Sequence, residues 1–326
     1  MTGSMAKAID CDVHIGLPDN ACLLPFLAPY WRDQIIARGI TALDLASYPP
    51  GNPLSARADW RLASGKPGTD FDLLKQCVLD AHDARFAICN IVHGAQAVHN
   101  ADLAVALCRA INTWMAQEWL GRDPRLRGSI VIPMQDPPRA AAEIEHWASD
   151  RRFVQVIMLA TGDLPFGRKP YWAIYEAAGR HGLPVGIHPG QAGRYAPTYV
   201  GWPSFYIEDY AAQAQSLQGQ LLSLVYEGVF SQFPALRIVL LKSGVSWLPS
   251  FLWRADNTWR ATRSEVPWVD TKPSDIVQRH VRLTTQPFDV PRKAATVAAL
   301  LDQFPAASML LFASDFPHWH FDGADI

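Results

Sequence analysis

Residues 8–14 read AIDCDVH, an apolar run that ends in one carboxylate and one imidazole. Asp12 and His14 stand two positions apart, and side chains at that spacing point to the same face of a β-strand. Both groups are therefore able to hold one ion. A D-x-H motif also occurs by chance, so it gains meaning only from partners elsewhere in the sequence.

Two other segments have the same form, because a polar group follows an apolar run. Residues 184–190 read PVGIHPG and end a run at His188, while residues 309–318 read MLLFASDFPH and end a run near Asp315. A lone histidine in such a place is usually a hydrogen-bonded core residue. Together, however, the three segments offer two imidazoles and two carboxylates. That set predicts one divalent metal ion bound by Asp12, His14, His188 and Asp315.

Short β-rich runs alternate with longer amphipathic ones through most of the sequence, which is typical of parallel strands joined by helices. Eight such runs predict an α/β fold of the closed TIM (β/α)8 barrel type. The three polar motifs then fall at the carboxyl ends of strands one, five and eight, where these barrels carry their catalytic groups. The predicted strands are Ala8–His14, Phe86–His93, Gly128–Pro133, Phe153–Ala160, Pro184–His188, Leu236–Leu241, His280–Thr285 and Met309–Ser314.

The stretches between the strands have the periodicity of amphipathic helices. Prolines near several of their starts agree with this, because the missing N–H is harmless in the first helical turn. The predicted helices are Asp102–Leu120, Arg139–Ser149, Tyr171–His181, Tyr206–Phe230, Val245–Arg263 and Pro291–Phe304.

The connection after the first strand breaks the repeat. It runs from Ile15 to Lys75 and is rich in Pro, Gly and aromatic residues, including Tyr48, Pro49 and Pro50. A connection of this length usually carries function, so we expect a lid or a subunit contact over the barrel mouth. The whole sequence, 1–326, is expected to form one barrel domain with this insertion at about 15–75.

Composition restricts the classes of function. With 326 residues, of which 49% are hydrophobic and 18% charged, the sequence is typical of a globular protein with a large core. A net charge of -2 and no cluster of Lys and Arg exclude the electrostatic footprint of a nucleic-acid-binding protein. Five cysteines without a C-x-x-C motif indicate reduced thiols. The sequence shows neither a signal peptide nor a membrane span, so we expect a cytoplasmic protein.

Longer stretches resemble the amidohydrolase superfamily, and within it the amidohydrolase-2 branch of enzymes similar to aminocarboxymuconate-semialdehyde decarboxylase. The stretches are IDCDVH (9–14), GLPVGIHPG (182–190), the segment from FYIEDY (205–210) to WRAD (253–256), HVRLTTQPFD (280–289) and LLFASDFPHWHFD (310–322). The resemblance implies a distorted (β/α)8 barrel, one metal ion at its mouth and a homodimer. It also implies that Asp315 lies beside the metal and handles protons.

The resemblance further implies which metal to expect. Asp12 and His14 occupy the positions of an H-x-H or E-x-H pair in the family. A carboxylate in place of a neutral imidazole makes the site harder and more negative. Zinc is therefore the expected ion, with manganese or iron as alternatives.

The sixth strand departs from the family pattern. Many relatives have a histidine in an H-x-G context where this sequence has Lys242, Ser243 and Gly244. An ammonium group is repelled by a divalent cation, so Lys242 either pairs with a carboxylate for structural reasons or holds a carboxylate of the substrate. Lys242 and Asp315 are the candidate catalytic residues.

Several side chains near the expected mouth are candidates for substrate binding. Aromatic rings there suit a planar substrate, but they equally suit an ordinary core. Histidines there either orient Asp315 or the substrate, or simply pack or face solvent. A guanidinium after His188 fits a carboxylate clamp, and it also fits an ordinary surface position. The candidates are Arg194, Trp202, Phe316, His318 and His93.

These parts predict a metal-dependent hydrolase that uses a metal-activated water on a small, cyclic or aromatic carboxylated substrate. The alternative is a non-oxidative decarboxylase (carboxy-lyase) of an aromatic or unsaturated acid, because the fold does not choose between the two. A hypothesis of another class is a catalytically weak ligand-binding barrel. It rests on Lys242 and on the end of the sequence at Ile326, where relatives continue into a further helix.

Overall fold

The computed structural model describes residues 7–43, 56–190, 195–196 and 198–320. Eight strands form one sheet in the order of the sequence, and each pairs in parallel with the next. All eight predicted strands are present, and this order is that of a (β/α)8 barrel. The strands are β1 (Ile9–His14), β2 (Phe86–Asn90), β3 (Leu126–Val131), β4 (Phe153–Leu159), β5 (Val185–His188), β6 (Ile238–Leu240), β7 (Val281–Thr284) and β8 (Leu310–Leu311).

The barrel is closed by backbone hydrogen bonds between β1 and the segment that follows the short strand β8. The N–H of His14 donates to the carbonyl oxygen of Phe316 at 2.7 Å. In the other direction, the N–H of Asp315 donates to the carbonyl oxygen of Asp12 at 3.0 Å. Residues 312–316 therefore run beside β1, and Asp315 is held next to the end of that strand.

Helices cover the outside of the sheet, and several of them begin with an Asp or Asn side-chain cap. The side chain of Asn100, for example, accepts a hydrogen bond from the N–H of Leu103, and Asp136 caps a helix whose first residue is Pro137. The helices are α1 (Pro29–Arg38), α2 (Phe71–Leu74, extended by the π-helical turn Lys75–Asp80), α3 (Ala101–Glu118), α4 (Pro137–Trp147), α5 (Trp172–Arg180), α6 (Tyr206–Tyr226), α7 (Val229–Gln232), α8 (Leu248–Thr262), α9 (Pro273–His280), α10 (Ala294–Leu301) and α11 (Ala306–Met309).

The helices differ from prediction in two respects. The single helix predicted over 206–230 is divided into α6 and α7, because Gly228 adopts a left-handed φ of 80° and ends the first helix. The helices α1, α2, α9 and α11 were not predicted. The first two lie in the Pro- and Gly-rich insertion, and the last two, of eight and four residues, are too short for a clear periodicity.

Apolar side chains fill the space between strands and helices. Ile130, Ile157 and Leu240, for example, have no exposed surface. All five cysteines are unpaired thiols, as the sequence indicated. Across the described ranges, no helix combines the length and the apolarity needed to cross a membrane.

The insertion between β1 and β2 packs against the segment that carries Asp315. The ring of Trp60 lies on Phe316 with 5.0 Å between ring centroids. The N–H of Gly16 donates to the carbonyl oxygen of Gly68 at 2.9 Å, which ties the insertion to the end of β1. Residues 44–55, including Tyr48, Pro49 and Pro50 of the expected lid, lie outside the described residues.

The contact of Gly68 with β1 leads to a stability prediction. Gly68 has a φ of +79°, and an added methyl group would lie 2.7 Å from the carbonyl oxygen of His14. Gly39 also has a left-handed φ, +62°, but among the described residues no heavy atom lies within 4 Å of the same position. We expect Gly39→Ala to lower the free energy of unfolding by about 1 kcal/mol through backbone strain alone. Gly68→Ala should cost about 2 kcal/mol more, because steric overlap is added.

Equilibrium denaturation of the two variants beside the parent protein measures both losses. Equal losses in Gly39→Ala and Gly68→Ala would contradict the close approach of the insertion to β1.

Candidate metal centre and active site

Four candidate ligands meet at the carboxyl end of the barrel. Asp12 and His14 lie at the end of β1, His188 is the last residue of β5, and Asp315 follows β8. One ligand atom from each residue can be chosen so that all four lie within 4.8 Å of one another. The structure thus brings together the four residues that the sequence predicted as metal ligands.

The ligand atoms are buried, and most have no well-aligned hydrogen bond. Asp12 and Asp315 have no exposed surface, and His188 is 6% exposed. The atoms without such a hydrogen bond are Oδ2 of Asp12, Nε2 of His14, Nε2 of His188 and both carboxylate oxygens of Asp315, although those of Asp315 are in ion-pair contact with Lys242 and His14. A buried polar atom without a partner costs about 1–3 kcal/mol, and a charged one costs more. One divalent cation would satisfy all of these atoms together, so the residues present fit a metal ion.

The ring of His188 is oriented by its own loop. Its Nδ1 lies 2.6 Å from the carbonyl oxygen of Pro189. A carbonyl oxygen only accepts hydrogen bonds, so Nδ1 carries the hydrogen and Nε2 keeps its lone pair. Burial, aided by the charge of His14, holds the pKa of His188 well below its ordinary value. The ring is therefore neutral and is ready to bind a metal ion through Nε2.

Two carboxylates approach the same imidazole. Nε2 of His14 lies 3.3 Å from Oδ1 of Asp12 and 3.1 Å from Oδ1 of Asp315. Burial raises the pKa of Asp12 to about 6, against the opposing effect of His14. Burial would lower the pKa of His14, but Asp12 and Asp315 outweigh it and raise that pKa. Positive charge, from either a proton or a cation, therefore stabilises the cluster.

Lys242 brings one positive charge to this place. Its Nζ lies 3.0 Å from Oδ2 of Asp315 and 5.7 Å from the ring centroid of Tyr210. Burial alone would raise the pKa of Asp315, but the ammonium group of Lys242 and the close approach of His14 hold it below its ordinary value. The N–H of Lys242 donates to Oγ1 of Thr284 at 2.8 Å, which fixes the residue to the end of β7. Lys242 is thus an ion-pair partner of a candidate ligand.

A cavity of about 560 Å³ opens beside Lys242. This volume lies within the range of about 300–1,000 Å³ that is usual for small-molecule sites. Tyr210, Phe288 and Trp319 line it with aromatic rings. Asp289 also lines it, but its carboxylate already accepts hydrogen bonds from the N–H groups of residues 245 and 246. The cavity is therefore lined by aromatic rings and by charged groups of both signs.

Two further predicted residues lie close to Asp315 in the sequence, and their positions differ. Nδ1 of His318 lies 3.5 Å from Oδ2 of Asp315, and its ring stacks on Tyr210 at 5.4 Å between centroids. Burial and the charge of Lys242 lower the pKa of His318 to about 3, so this ring is neutral. Phe316, by contrast, has no exposed surface and packs against the insertion.

Trp202 and His93, which were also predicted to bind substrate, lie on loops. Trp202 is 42% exposed in the loop before α6. His93 is buried, its Nδ1 accepts a hydrogen bond from the N–H of Ala95, and its Nε2 lies 3.3 Å from Oδ1 of Asn20. These contacts engage both ring nitrogens of His93. Arg194 lies outside the described residues.

Two residues of the site were not predicted from the sequence. Tyr210 stacks on His318, and its hydroxyl lies 3.0 Å from Nδ1 of His320. Asn90 ends β2, and its amide donates to Oδ1 of Asp12 at 2.7 Å. The signal for Asn90 was a polar residue at the end of the apolar run FAICN (86–90). Tyr210 had no such signal, because the packing of a distant helix brings it to the site.

Comparison with known proteins gives matches over nearly the whole chain. The family model described as "Amidohydrolase" matches residues 9–325. A gamma-resorcylate decarboxylase of Rhodococcus jostii (strain RHA1) is 29% identical over 282 residues, which cover 77% of this chain and 82% of that protein. A protein of the same name from Polaromonas sp. is 26% identical over 79% of this chain and 83% of its own length.

Solved structures share the fold at lower identity. The 5-carboxyvanillate decarboxylase of Sphingomonas paucimobilis superimposes with a TM-score of 0.67 at 20% identity, covering 95% of this chain and 89% of its own. A dihydroxybenzoic acid decarboxylase from Polaromonas sp. JS666, solved with bound manganese and the inhibitor 2-nitroresorcinol, gives 0.66 at 21% identity, covering 98% and 89%. These likenesses show that the barrel is of the same kind.

The four-residue cluster leads to a prediction about metal binding. We expect the metal-free protein to gain stability with Zn²⁺ or Mn²⁺, by about 2.7 kcal/mol at one hundred times the dissociation constant. His188→Ala should abolish the gain, because it removes a ligand. His280→Ala is the matched control: His280 is also buried, but its Nδ1 contacts the carbonyl oxygen of Leu236 at the opposite end of the barrel.

Thermal unfolding of the three proteins with and without metal measures the effect. A metal-dependent rise in the melting temperature of His188→Ala equal to that of the parent protein would argue against the cluster as the binding site.

Proposed function

The chain belongs to the amidohydrolase family, and on that premise we propose that it catalyses the metal-dependent, non-oxidative decarboxylation of a hydroxylated aromatic acid. The observation that carries the proposal is that Lys242 lines a cavity with aromatic walls and also pairs with Asp315 of the four-residue cluster. Relatives named as gamma-resorcylate decarboxylases support the choice of reaction.

We assign the metal ion to Asp12, His14, His188 and Asp315, whose ligand atoms lie within 4.8 Å of one another. A divalent ion held there would supply positive charge that draws electron density from oxygen atoms of the substrate. The manganese in the Polaromonas structure supports manganese beside zinc as the native ion.

Lys242 is assigned to the carboxylate of the substrate. Its Nζ is a charge-assisted donor on the cavity wall, and an ammonium group pairs well with a carboxylate as a point charge. The carboxylate of the substrate would compete with Asp315 for this group. As Lys242 turns toward the substrate, Asp315 loses the partner that lowers its pKa and becomes better able to carry a proton.

Proton transfer is assigned to Asp315. A proton on its carboxyl group passes to the ring carbon that bears the carboxylate of the substrate. The bond between this carbon and the carboxylate carbon then breaks, and its electron pair returns to the ring as carbon dioxide leaves. Asp315 takes up another proton from water, so the net reaction replaces carbon dioxide by hydrogen on the ring.

The aromatic walls are assigned to holding the ring flat. Tyr210, Phe288 and Trp319 offer faces and edges to a planar substrate. Trp319 is 42% exposed, so part of its ring also faces solvent. A single-ring acid fits this arrangement better than a long flexible chain does.

Hydrolysis, the first function predicted from the sequence, would use the same residues. Asp315 would then accept a proton from water instead of giving one to carbon. We favour decarboxylation because the relatives are named as decarboxylases, and this chain matches them over about four-fifths of their length. The ligand-binding hypothesis assumed that Lys242 weakens the metal site. In the structure Lys242 pairs with Asp315 and leaves the other three candidate ligands together, so we do not favour this hypothesis.

We also propose a homodimer in the cytoplasm. Support for the dimer comes from an exposed apolar segment after β5, in which Tyr199 is 99%, Val200 94% and Ile207 74% exposed. Such a patch is typical of a surface that another protein covers. Support for the cytoplasm comes from the five unpaired thiols.

The reaction class is tested with a panel of hydroxybenzoates, lactones and amides, supplied to the zinc or manganese protein in heavy water. We expect release of carbon dioxide from an ortho-hydroxylated benzoate, with one deuterium in the product at the vacated ring position. Release of acid from a lactone or an amide without carbon dioxide would instead identify a hydrolase. Turnover is followed by mass spectrometry and by NMR of the ring protons.

Two substitutions test the assigned residues on the substrate so found. Asp315→Asn should lower kcat by about 10²–10⁴-fold, because a positioned acid is lost. Lys242→Met should raise KM by about 10–100-fold, the equivalent of one charge-assisted hydrogen bond. Lys272→Met is the control, because Lys272 is an exposed lysine beside α9. Steady-state kinetics in which Lys242→Met behaves like Lys272→Met would remove Lys242 from the substrate site.

A further inference from the structure

Four polar side chains lie side by side within the barrel, where such folds usually carry bulky apolar residues. Asp12, Asn90 and Ser129 have no exposed surface, and Gln155 is 2% exposed. They come from β1, β2, β3 and β4 in order, one from each strand. Burying polar groups in this number is costly unless each has a partner.

The four side chains form a continuous line of hydrogen bonds that ends on a candidate metal ligand. Nε2 of Gln155 donates to Oγ of Ser129 at 2.9 Å, and Oγ of Ser129 donates to Oδ1 of Asn90 at 2.6 Å. Nδ2 of Asn90 then donates to Oδ1 of Asp12 at 2.7 Å. Every hydrogen in this line points toward Asp12.

We propose that Asn90 is a positioning residue of the metal centre, and that Ser129 and Gln155 hold its amide in the orientation that this task requires. The proposal rests on the metal site and is independent of whether the reaction there is decarboxylation. It assigns a task to three residues outside the four ligands.

The direction of the line follows from the chemistry of its end. A carboxylate only accepts hydrogen bonds, so the amide of Asn90 must turn its NH₂ group toward Asp12 and its oxygen away. The hydroxyl of Ser129 occupies that oxygen and thereby opposes a flip of the amide. Hydrogen bonds that point the same way also polarise and strengthen one another. Asp12 is thus held at Oδ1, which also lies 3.3 Å from Nε2 of His14, while Oδ2 has no hydrogen bond.

Strand β5 makes room for the far end of the line. A methyl group added to Gly186 would lie 2.8 Å from Nε2 and 2.9 Å from Cδ of Gln155. Gly186 is two positions before His188 on β5, which pairs directly with β4, so the amide of Gln155 lies against the neighbouring strand that carries another ligand. The line therefore spans from one ligand strand to the other.

A purely structural role is separable from this one, because the chain has a comparable asparagine elsewhere. Asn112 of α3 also has no exposed surface, and its amide bonds to the carbonyl oxygen of Val131 and to Glu143, both at 2.9 Å. Asn112 joins a helix to the outside of β3 and contacts none of the four ligands in these bonds. It is a matched control for loss of a buried asparagine.

The test measures metal affinity without substrate. Zn²⁺ is titrated into the metal-free protein in competition with a chromophoric chelator, and folding is followed by circular dichroism. We expect Asn90→Leu to weaken Zn²⁺ binding by about 10–100-fold, the usual effect of removing a group that orients a ligand. Ser129→Ala should weaken it by a smaller factor, since Asn90 remains. Asn112→Leu should lower the melting temperature and leave the dissociation constant within about two-fold, because it touches no ligand.

A second readout comes from Co²⁺, whose d–d absorption reports the arrangement of the donor atoms. We expect this spectrum to change in Asn90→Leu and to stay the same in Asn112→Leu. Gly186→Ala removes no polar group, but it displaces Gln155 and should weaken binding in the same direction as Ser129→Ala. If Asn90→Leu does not fold, Ser129→Ala and Gly186→Ala decide the matter. Parent-like affinity and spectrum in the folded line variants, or an equal loss in Asn112→Leu, would overturn the proposal.

Failure of this proposal is distinguishable from failure of the proposed reaction. Zn²⁺ affinity is measured on the protein alone, so a protein that binds metal through this line and yet hydrolyses its substrate would refute only the reaction.

Discussion

The seam that closes the barrel is the constraint on which the site depends. Backbone hydrogen bonds tie the segment after β8 to β1, and they bring Asp315 next to Asp12 and His14 although some three hundred residues of sequence separate them. The pairing of the main chain alone therefore makes two carboxylates and an imidazole neighbours. His188 joins them from β5, through the order of the strands around the barrel.

Charge balance is the second theme of this site. The buried carboxylates of Asp12 and Asp315 both approach the imidazole of His14. Lys242 places a positive charge beside Asp315. Lys242 and Asp315 both have left-handed backbones, with φ of 51° and 53°, which is uncommon for residues other than glycine. Such conformations persist where the surrounding structure holds them, and they cluster at functional sites. The ion pair and the seam are the contacts that hold them here.

Much of this was predictable from the sequence, and the rest was not for definite reasons. The eight strands and the four ligands were predicted because each buried strand is an apolar run and each ligand ends one. The family and its enzymatic character were likewise predicted and are confirmed. Tyr210 was missed because only the packing of α6 brings it to His318. Asn90 was missed because the predicted strand, Phe86–His93, extends three residues beyond the end of β2, so Asn90 did not stand at its end. Hydrolysis and decarboxylation were not separable, since one set of groups serves both.

Lys242 has a consequence for the order in which folding and metal binding occur. In small zinc modules the binding free energy of the ion is the folding free energy, so the polypeptide stays unfolded without it. Here an ammonium group from the chain itself already sits among the acidic ligands. The polypeptide itself therefore supplies part of the positive charge that these buried acids need, and we expect the barrel to fold before an ion is bound.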